Sequence, residues 1–224
     1  MYFKKTILFF LCITAFYSKS IAQTKKITFF LQTDLDQLYL NDSVKISKCT
    51  IYLSNFKFYN QAQLVFLDTI KAHLVDLLDP NQIQFNIPAN LLFNRVVFNI
   101  GVDSNTNVAG ILTGDLDPRK GMYWAWQSGY INFKLEGILN TQLQQPFQYH
   151  VGGYAGKLNV IQSNSFEVYP NNKYTLSFNF LPMLQYCLAQ KQYEIMSPQL
   201  KAVQLAKLLS ENTTCTKVQN LTNE

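Results

Sequence analysis

Two histidines, two tryptophans and one short run of acids and amides are the residues whose types could bind a metal or take part in redox chemistry. Imidazole nitrogens bind copper and zinc and act as general bases near neutral pH. Because His73 and His150 are the only two in the chain, every imidazole hypothesis can be written out. His150 lies in Phe147-Gln-Tyr-His-Val-Gly-Gly153. Alternation there sets Phe147, Tyr149 and Val151 on one face and His150 on the opposite, more polar face, which by itself describes an exposed strand-end histidine. His73, in Lys71-Ala-His-Leu-Val-Asp76, reads as a partly buried ring hydrogen-bonded to a loop.

Both tryptophans fall in Gly121-Met-Tyr-Trp-Ala-Trp-Gln-Ser-Gly-Tyr130. If that stretch is extended, Met122, Trp124 and Trp126 project to one face, two residues apart. This spacing suits an aromatic core layer; it also suits an indole near the surface, open to oxidation or ligand contact. In Gly101-Val-Asp-Ser-Asn-Thr-Asn107 the oxygens of Asp103, Asn105 and Asn107 alternate as in a calcium loop, and Asp115 and Asp117 could add more. Val108 and Gly114 stand where an EF-hand needs its glycine and its bidentate carboxylate, so an Asx-rich turn is the stronger reading and calcium the weaker.

Other chemistry finds little support. No GxSxG, P-loop, GxGxxG or HExxH occurs, and an enzyme is not expected. Beyond Cys12 there are Cys49, Cys187 and Cys215, with no CxxC and no zinc spacing. In an oxidising compartment one disulfide plus one free thiol is the simplest allocation, with the pairing open.

The elements that must position these residues are mostly strands. Met1 to Ala22 has Lys4 and Lys5, an apolar run from Ile7 to Tyr17 and Ser20-Ile21-Ala22, the layout of a signal peptide over residues 1–22. The run is too short to span a bilayer, which takes roughly 20 residues. Residues 23–224 then form one domain in an exported protein, periplasmic or at the cell surface, with no transmembrane segment. The whole chain of 224 residues is 48% hydrophobic, 14% aromatic and 15% charged, which excludes a disordered tail or a disulfide-dense miniprotein. Its formal charge of +5 falls to +2 when Lys4, Lys5 and Lys19 leave with the signal, so no nucleic-acid partner is expected.

Period-two alternation dominates this domain. It predicts strands over Ile27–Gln32, Lys45–Tyr59, Leu64–Asp68, Ile83–Ile87, Val96–Ile100, Ile131–Leu135, Phe147–Val151 and Lys173–Phe180. Turn-like breaks separate them, at Leu78-Asp-Pro80, Gly101 to Gly110, Asp115 to Gly121, Gly152-Gly153 and Tyr169-Pro-Asn-Asn172. One helix is predicted late, capped by Ser197, with Pro198 in its first turn and Ala202, Leu205, Ala206 and Leu209 on one face. The fold class is all-β: an antiparallel β-sandwich with a C-terminal α-helix.

Ile100-Gly-Val-Asp103, Gly114-Asp-Leu-Asp-Pro118, the 121–130 segment and Lys134-Leu-Glu-Gly137 together resemble the core signature of the MbnP-like family. Tyr52-Leu-Ser-Asn55 upstream, and His150-Val-Gly-Gly153 and Met196-Ser-Pro198 downstream, follow in the order that family shows. The resemblance covers most of residues 23–224. It implies a secreted bacterial copper-binding protein with a β-sandwich and a mononuclear copper site built on histidine. It also implies, in some members, a ligand made by oxidising tryptophan to kynurenine, and a di-haem partner of the MbnH/MauG type that performs that oxidation. Carried onto this sequence, Trp124 or Trp126 is the oxidisable residue and His150 a copper ligand; His73 is a weaker candidate and Met122 a soft contact. Some relatives carry four cysteines in a pattern that this chain lacks. From a different class comes an exported β-sandwich interaction or adhesion module whose tryptophans are core; a redox enzyme in its own right has no cofactor motif.

Overall fold

The structure, a computed structural model, describes residues 23–35, 44–127, 129–139 and 144–219. The leader read as a signal peptide, residues 1–22, lies outside them. Strands β1 (Thr24–Thr33), β5 (Asn81–Pro88), β11 (Lys173–Phe178) and β13 (Thr213–Lys217) form one sheet in the order β13-β11-β1-β5. A second sheet runs β10 (Gln162–Glu167), β6 (Arg95–Ile100), β2 (Val44–Asn60), β8 (Gly129–Leu139), β9 (Gln145–Gly152) and β12 (Glu194–Ile195). To it are added β3 (Gln63–Leu67) and β4 (Ala72–Asp76) against β2, and β7 (Tyr123–Trp124) against β8. Pairing is antiparallel except for β1 with β11 and β9 with β12, which are parallel.

Each sheet turns one apolar face toward the other. Ile27, Phe29 and Leu31 of β1, Ile83, Phe85 and Ile87 of β5, and Tyr174, Leu176 and Phe178 of β11 are all buried inward, and their polar neighbours alternate outward. Phe56 of β2 meets Phe85 at 5.0 Å and Phe29 at 6.3 Å between ring centroids, joining the two sheets through one shared core. The expected β-sandwich is therefore present, with two parallel pairings added to it.

Strand β2 is the longest, and its register explains how it keeps an apolar face through 17 residues. Val44 and Ile46 are core residues, then Cys49, Ile51 and Leu53, then Phe56 and Phe58. The parity changes twice, and each change falls at a register shift, between Ile46 and Lys48 and between Ser54 and Lys57. A bulge inserts a residue and so returns later side chains to the face they would have left. At the second shift Asn55 takes φ of 56°, a left-handed conformation that asparagine tolerates well.

Among the described residues three α-helices are added. The turn expected over Gly101 to Gly110 contains α1 (Ser104–Val108), whose first turn Asp103 caps by accepting from the Thr106 amide. Helix α2 (Leu181–Ala189), unforeseen, buries Met183, Leu184 and Cys187. The late helix is α3 (Leu200–Glu211), and its predicted apolar face of Ala202, Leu205, Ala206 and Leu209 is the buried one. Its start differs: Gln199, not Ser197, is the cap, and no side-chain hydrogen bond is made there. Pro198 stands before the helix, beside Gly153.

The expected disulfide is corrected too. Cys49, Cys187 and Cys215 are all free, on β2, α2 and β13. Burial pushes the Cys49 thiol well above its usual range, Cys187 up to about 11 and Cys215 up to about 12. Protonated thiols react slowly as nucleophiles, so the folded protein should label sluggishly with a disulfide reagent at neutral pH. In denaturant without reductant all three should titrate; a count of one would mean that a bridge has formed.

Candidate metal and oxidation site

Tyr52 and Tyr130 begin the site, because they fold a long loop back over the outer face of the larger sheet. Tyr52 projects from β2 opposite to Ile51 and Leu53, and its hydroxyl donates to the Asp115 carbonyl at 2.8 Å. Tyr130 packs edge-on against it at 6.0 Å. The Tyr130 hydroxyl donates to the Leu116 carbonyl at 3.0 Å and accepts from the Leu112 amide at 3.1 Å. Loop 110–118 is thereby tied down at both phenols. Further along, Ser54 donates to the Gly101 carbonyl at 2.6 Å and Asn132 accepts from the Val102 amide at 3.2 Å. Asn107 accepts from the Tyr130 amide at 2.8 Å and donates to the Val102 carbonyl at 2.8 Å. Val102, Leu116, Met122, Trp124, Tyr130 and Ile131 close over Tyr52 as a small second core.

Trp124 is the last residue of β7, paired with Gly129 across the ladder. The extended stretch expected through Trp126 stops there, because residues 125–127 turn. The three residues expected on one face are thus divided: Met122 and Trp124 are buried, and Trp126 is 67% exposed. The two indoles still touch, with centroids 5.8 Å apart and planes at 44°.

What lies under Trp124 is Gly152. A methyl group built on Gly152 would come within 2.7 Å of Trp124 Cζ3 and 2.7 Å of the Tyr130 carbonyl oxygen, so the bare backbone is what admits the indole. Gly152 shares its face of β9 with His150, since Phe147, Tyr149 and Val151 all point into the core between them. Two residues along a strand span about 7 Å, so the point where Trp124 meets β9 is one side-chain position from His150 on the same face. A cleft of about 150 Å³ opens next to the indole, lined by Trp124, Gln127, Gly129, Gly153, Tyr154 and Pro198 among others.

His150 is not the exposed histidine that its sequence context suggests; it is 6% exposed. Register pairs it with Lys134, and its Nε2 meets Glu136 Oε1 of β8 at 2.5 Å. Burial, ahead of the opposing Glu136 hydrogen bond, holds its pKa below the ordinary imidazole value of 6.5. Below about 6.5 the unfolded chain therefore takes up a proton more readily than the folded one. The stability tied to neutral His150 is complete above that pH and is lost as pH falls through the lower folded value. Urea midpoints of wild type should fall more steeply between pH 7.5 and 5 than those of His150→Gln; equal slopes would contradict the burial.

His73 lies elsewhere. It pairs with Leu53 on β2 and shares that residue's core-facing side, with its ring against Phe56 at 5.7 Å and Phe85 at 6.2 Å. Its Nε2 meets Asp68 Oδ2 at 2.6 Å, in the loop before β4, as the sequence reading has it. Thr50 pairs with Lys134, and Lys134 with His150, so His150 faces the outside of the same sheet. The two imidazoles stand on opposite faces, three strand spacings or about 14 Å apart, and cannot share a metal.

The carboxylates considered for calcium also have other partners. Asp103 caps α1 and accepts from the Thr106 hydroxyl at 2.7 Å, and Asn105 is an exposed residue of that helix. Asp115 accepts from the Leu74 amide at 3.1 Å and from Lys120 at 2.6 Å. Asp117 takes Arg119, whose hydrogen bonds hold its carboxyl down at about 2. Among the described residues no three of His, Cys, Asp and Glu gather as a metal set.

Copper can be tested against these residues directly. A site made from histidines alone does not fit, because only one imidazole reaches the outer face. The remaining pairing is His150 with a nitrogen from an oxidised Trp124, since both lie on the outer face and Trp124 covers Gly152, one side-chain position from His150 on β9. Glu136 and Gly152 are the neighbours of His150 and Trp124 that local reading missed. Both lie in segments singled out for resemblance, but only the β8–β9 register shows what they touch.

Fold and face together make this chain a β-sandwich with an aromatic loop folded over the outside of one sheet, its tryptophan against a glycine of a nearby strand. The chain belongs to the MbnP family, whose model matches residues 22–218. Among solved structures it is similar to MbnP from Methylosinus trichosporium, at 12% identity and a TM-score of 0.47, over 70% of this chain and 75% of that one. A search of curated proteins finds no match.

Proposed function

We propose that this is an exported, non-catalytic copper-binding protein in which His150 and an oxidised Trp124 supply nitrogens to one copper ion. The observation that carries the reading is the indole of Trp124 lying on Gly152, next to His150 and on the same face. Oxidation would come from a di-haem partner using an oxidant of the peroxide class. Two peroxides each deliver one oxygen atom, to indole C2 and C3; the C2–C3 bond breaks, both carbons become carbonyls, and two waters leave. Hydrolysis of the resulting formamide releases formate and leaves kynurenine with its aniline nitrogen. Such a nitrogen beside an imidazole makes a donor set that suits copper. When bound, copper would supply a charge and a redox couple; the chain's own residues hold the donors in place and keep bulk water from the indole.

The test is copper content and intact mass for protein purified from its native host, wild type against His150→Ala. The reading expects bound copper and the mass change of one converted tryptophan in wild type, and the mass change without copper in the variant. Neither copper nor mass change in wild type would sink it. A second reading is favoured by Trp126, which is 67% exposed: an exported interaction module using that indole as a contact. It expects Trp126→Ala to abolish partner capture while copper stays at background.

A further inference from the structure

We propose that Glu136 is a positioning residue that fixes the tautomer of His150, taking its Nε2–H and leaving Nδ1 as the ring's free lone pair. For its purpose this rests on the copper reading, but its geometry stands apart from it. Glu136 Oε1 and His150 Nε2 are 2.5 Å apart. An ionised carboxylate only accepts hydrogen bonds, so a neutral ring in that contact must carry its proton on Nε2. Nδ1 has no hydrogen-bond partner among the described residues. Nor is it sealed: the fully buried side-chain polar atoms without partners are Thr50 Oγ1 and Asn132 Nδ2. An unpartnered ring nitrogen that keeps contact with solvent is where a ligand can be accepted.

Position along the strands agrees. Glu136 pairs with Gln148, on the side of His150 away from Gly152 and Trp124. The two nitrogens of an imidazole point apart, so a ring held at Nε2 by Glu136 directs Nδ1 away from that carboxylate. The other charged groups around His150 are Lys134, its cross-strand partner, and Glu194 of β12. Lys134 makes no ion pair among the described residues, and its positive charge beside the ring opposes a second proton there. Metal-bound histidines commonly donate their other N–H to a carboxylate, which fixes the ring and raises its basicity, and loss of that partner costs about 10–100-fold in metal affinity.

Long-range proton–nitrogen NMR on the full mature chain, labelled with ¹⁵N-histidine and free of metal, tests this at neutral pH. Two rings give two spin systems, assigned through His73→Gln. The expected wild-type result is His150 neutral, protonated at Nε2 and bare at Nδ1. In Glu136→Ala the same ring should move to the averaged shifts of exchanging tautomers. An Nδ1–H tautomer or an imidazolium in wild type overturns the proposal, as does an unchanged tautomer in the folded variant. The wild-type spectrum decides by itself if the variant does not fold. Copper titration of host-matured protein then separates the two readings. A 10–100-fold weaker affinity in Glu136→Ala supports both, and equal affinity overturns the positioning role. If wild type binds no copper, the proposed function falls while the tautomer assignment is judged on the spectrum alone.

Discussion

Trp124→Ala should lower the unfolding free energy by about 3–5 kcal/mol, while Trp126→Ala should change it by no more than about 0.5 kcal/mol. The two indoles are two residues apart in one segment and in contact, yet their surroundings differ. Trp124 is 6% exposed, packed over Gly152 and inside the cluster formed by Tyr52, Met122, Tyr130 and Ile131. Removing its ring leaves a cavity that cannot close easily, because hydrogen bonds from Tyr52 and Tyr130 hold the loop above it. Trp126 stands in the turn and loses mainly its contact with Trp124. Urea unfolding of both variants checks the contrast. Equal losses would mean that the two rings act as a single packed unit.

Gly152→Val should also be costly, by about 1–3 kcal/mol or more, as overpacking a filled site is. Of the atoms that an added Cβ would meet, the Trp124 ring could swing away, but the Tyr130 carbonyl belongs to the backbone of β8. The variant therefore loses stability and displaces the indole at once. Because the chain has two tryptophans, a Trp126→Phe background leaves Trp124 as the sole reporter. Its emission should move to longer wavelength in Gly152→Val. An unshifted spectrum with unchanged stability would show that the indole does not need the bare backbone.

Much of the sandwich was legible in the sequence, because each half-buried strand carries its own period-two record. The clearest are Lys173–Phe178 and Asn81–Pro88, where every second residue is a large apolar one. Strands β10 and β13 were not legible: Gln-Ser-Asn-Ser-Phe-Glu and Thr-Thr-Cys-Thr-Lys have too little apolar alternation, and pairing with β6 and β11 is what makes them strands. Helix α2 left a signal that could have been used, with Pro182 in its first turn and Met183, Leu184 and Cys187 on one face. The end of β7 at Trp124 could not be read, since Trp126 continues the alternation and the turn that removes it is set by the pairing with β8.

The site was legible as a set of segments but not as an arrangement. His150 and the tryptophans could be named, whereas the neighbour of each could not. That His150 meets Glu136, and that Trp124 covers Gly152, depends on the register of β8 against β9, a contact between residues far apart in sequence. Local spacing could not show that His73 and His150 lie apart; strand order put them on opposite faces of one sheet. The burial of His150 was not legible either, because polarity on the outer face of a strand suggests water.

Peptide mapping by mass spectrometry of protein purified from its native host tests the central claim most directly. The account predicts that the mass change of a tryptophan-to-kynurenine conversion falls on residue 124, that Trp126 is intact, and that copper co-purifies with the converted chain. Conversion at Trp126 instead, or copper bound to a chain with both tryptophans intact, would contradict it.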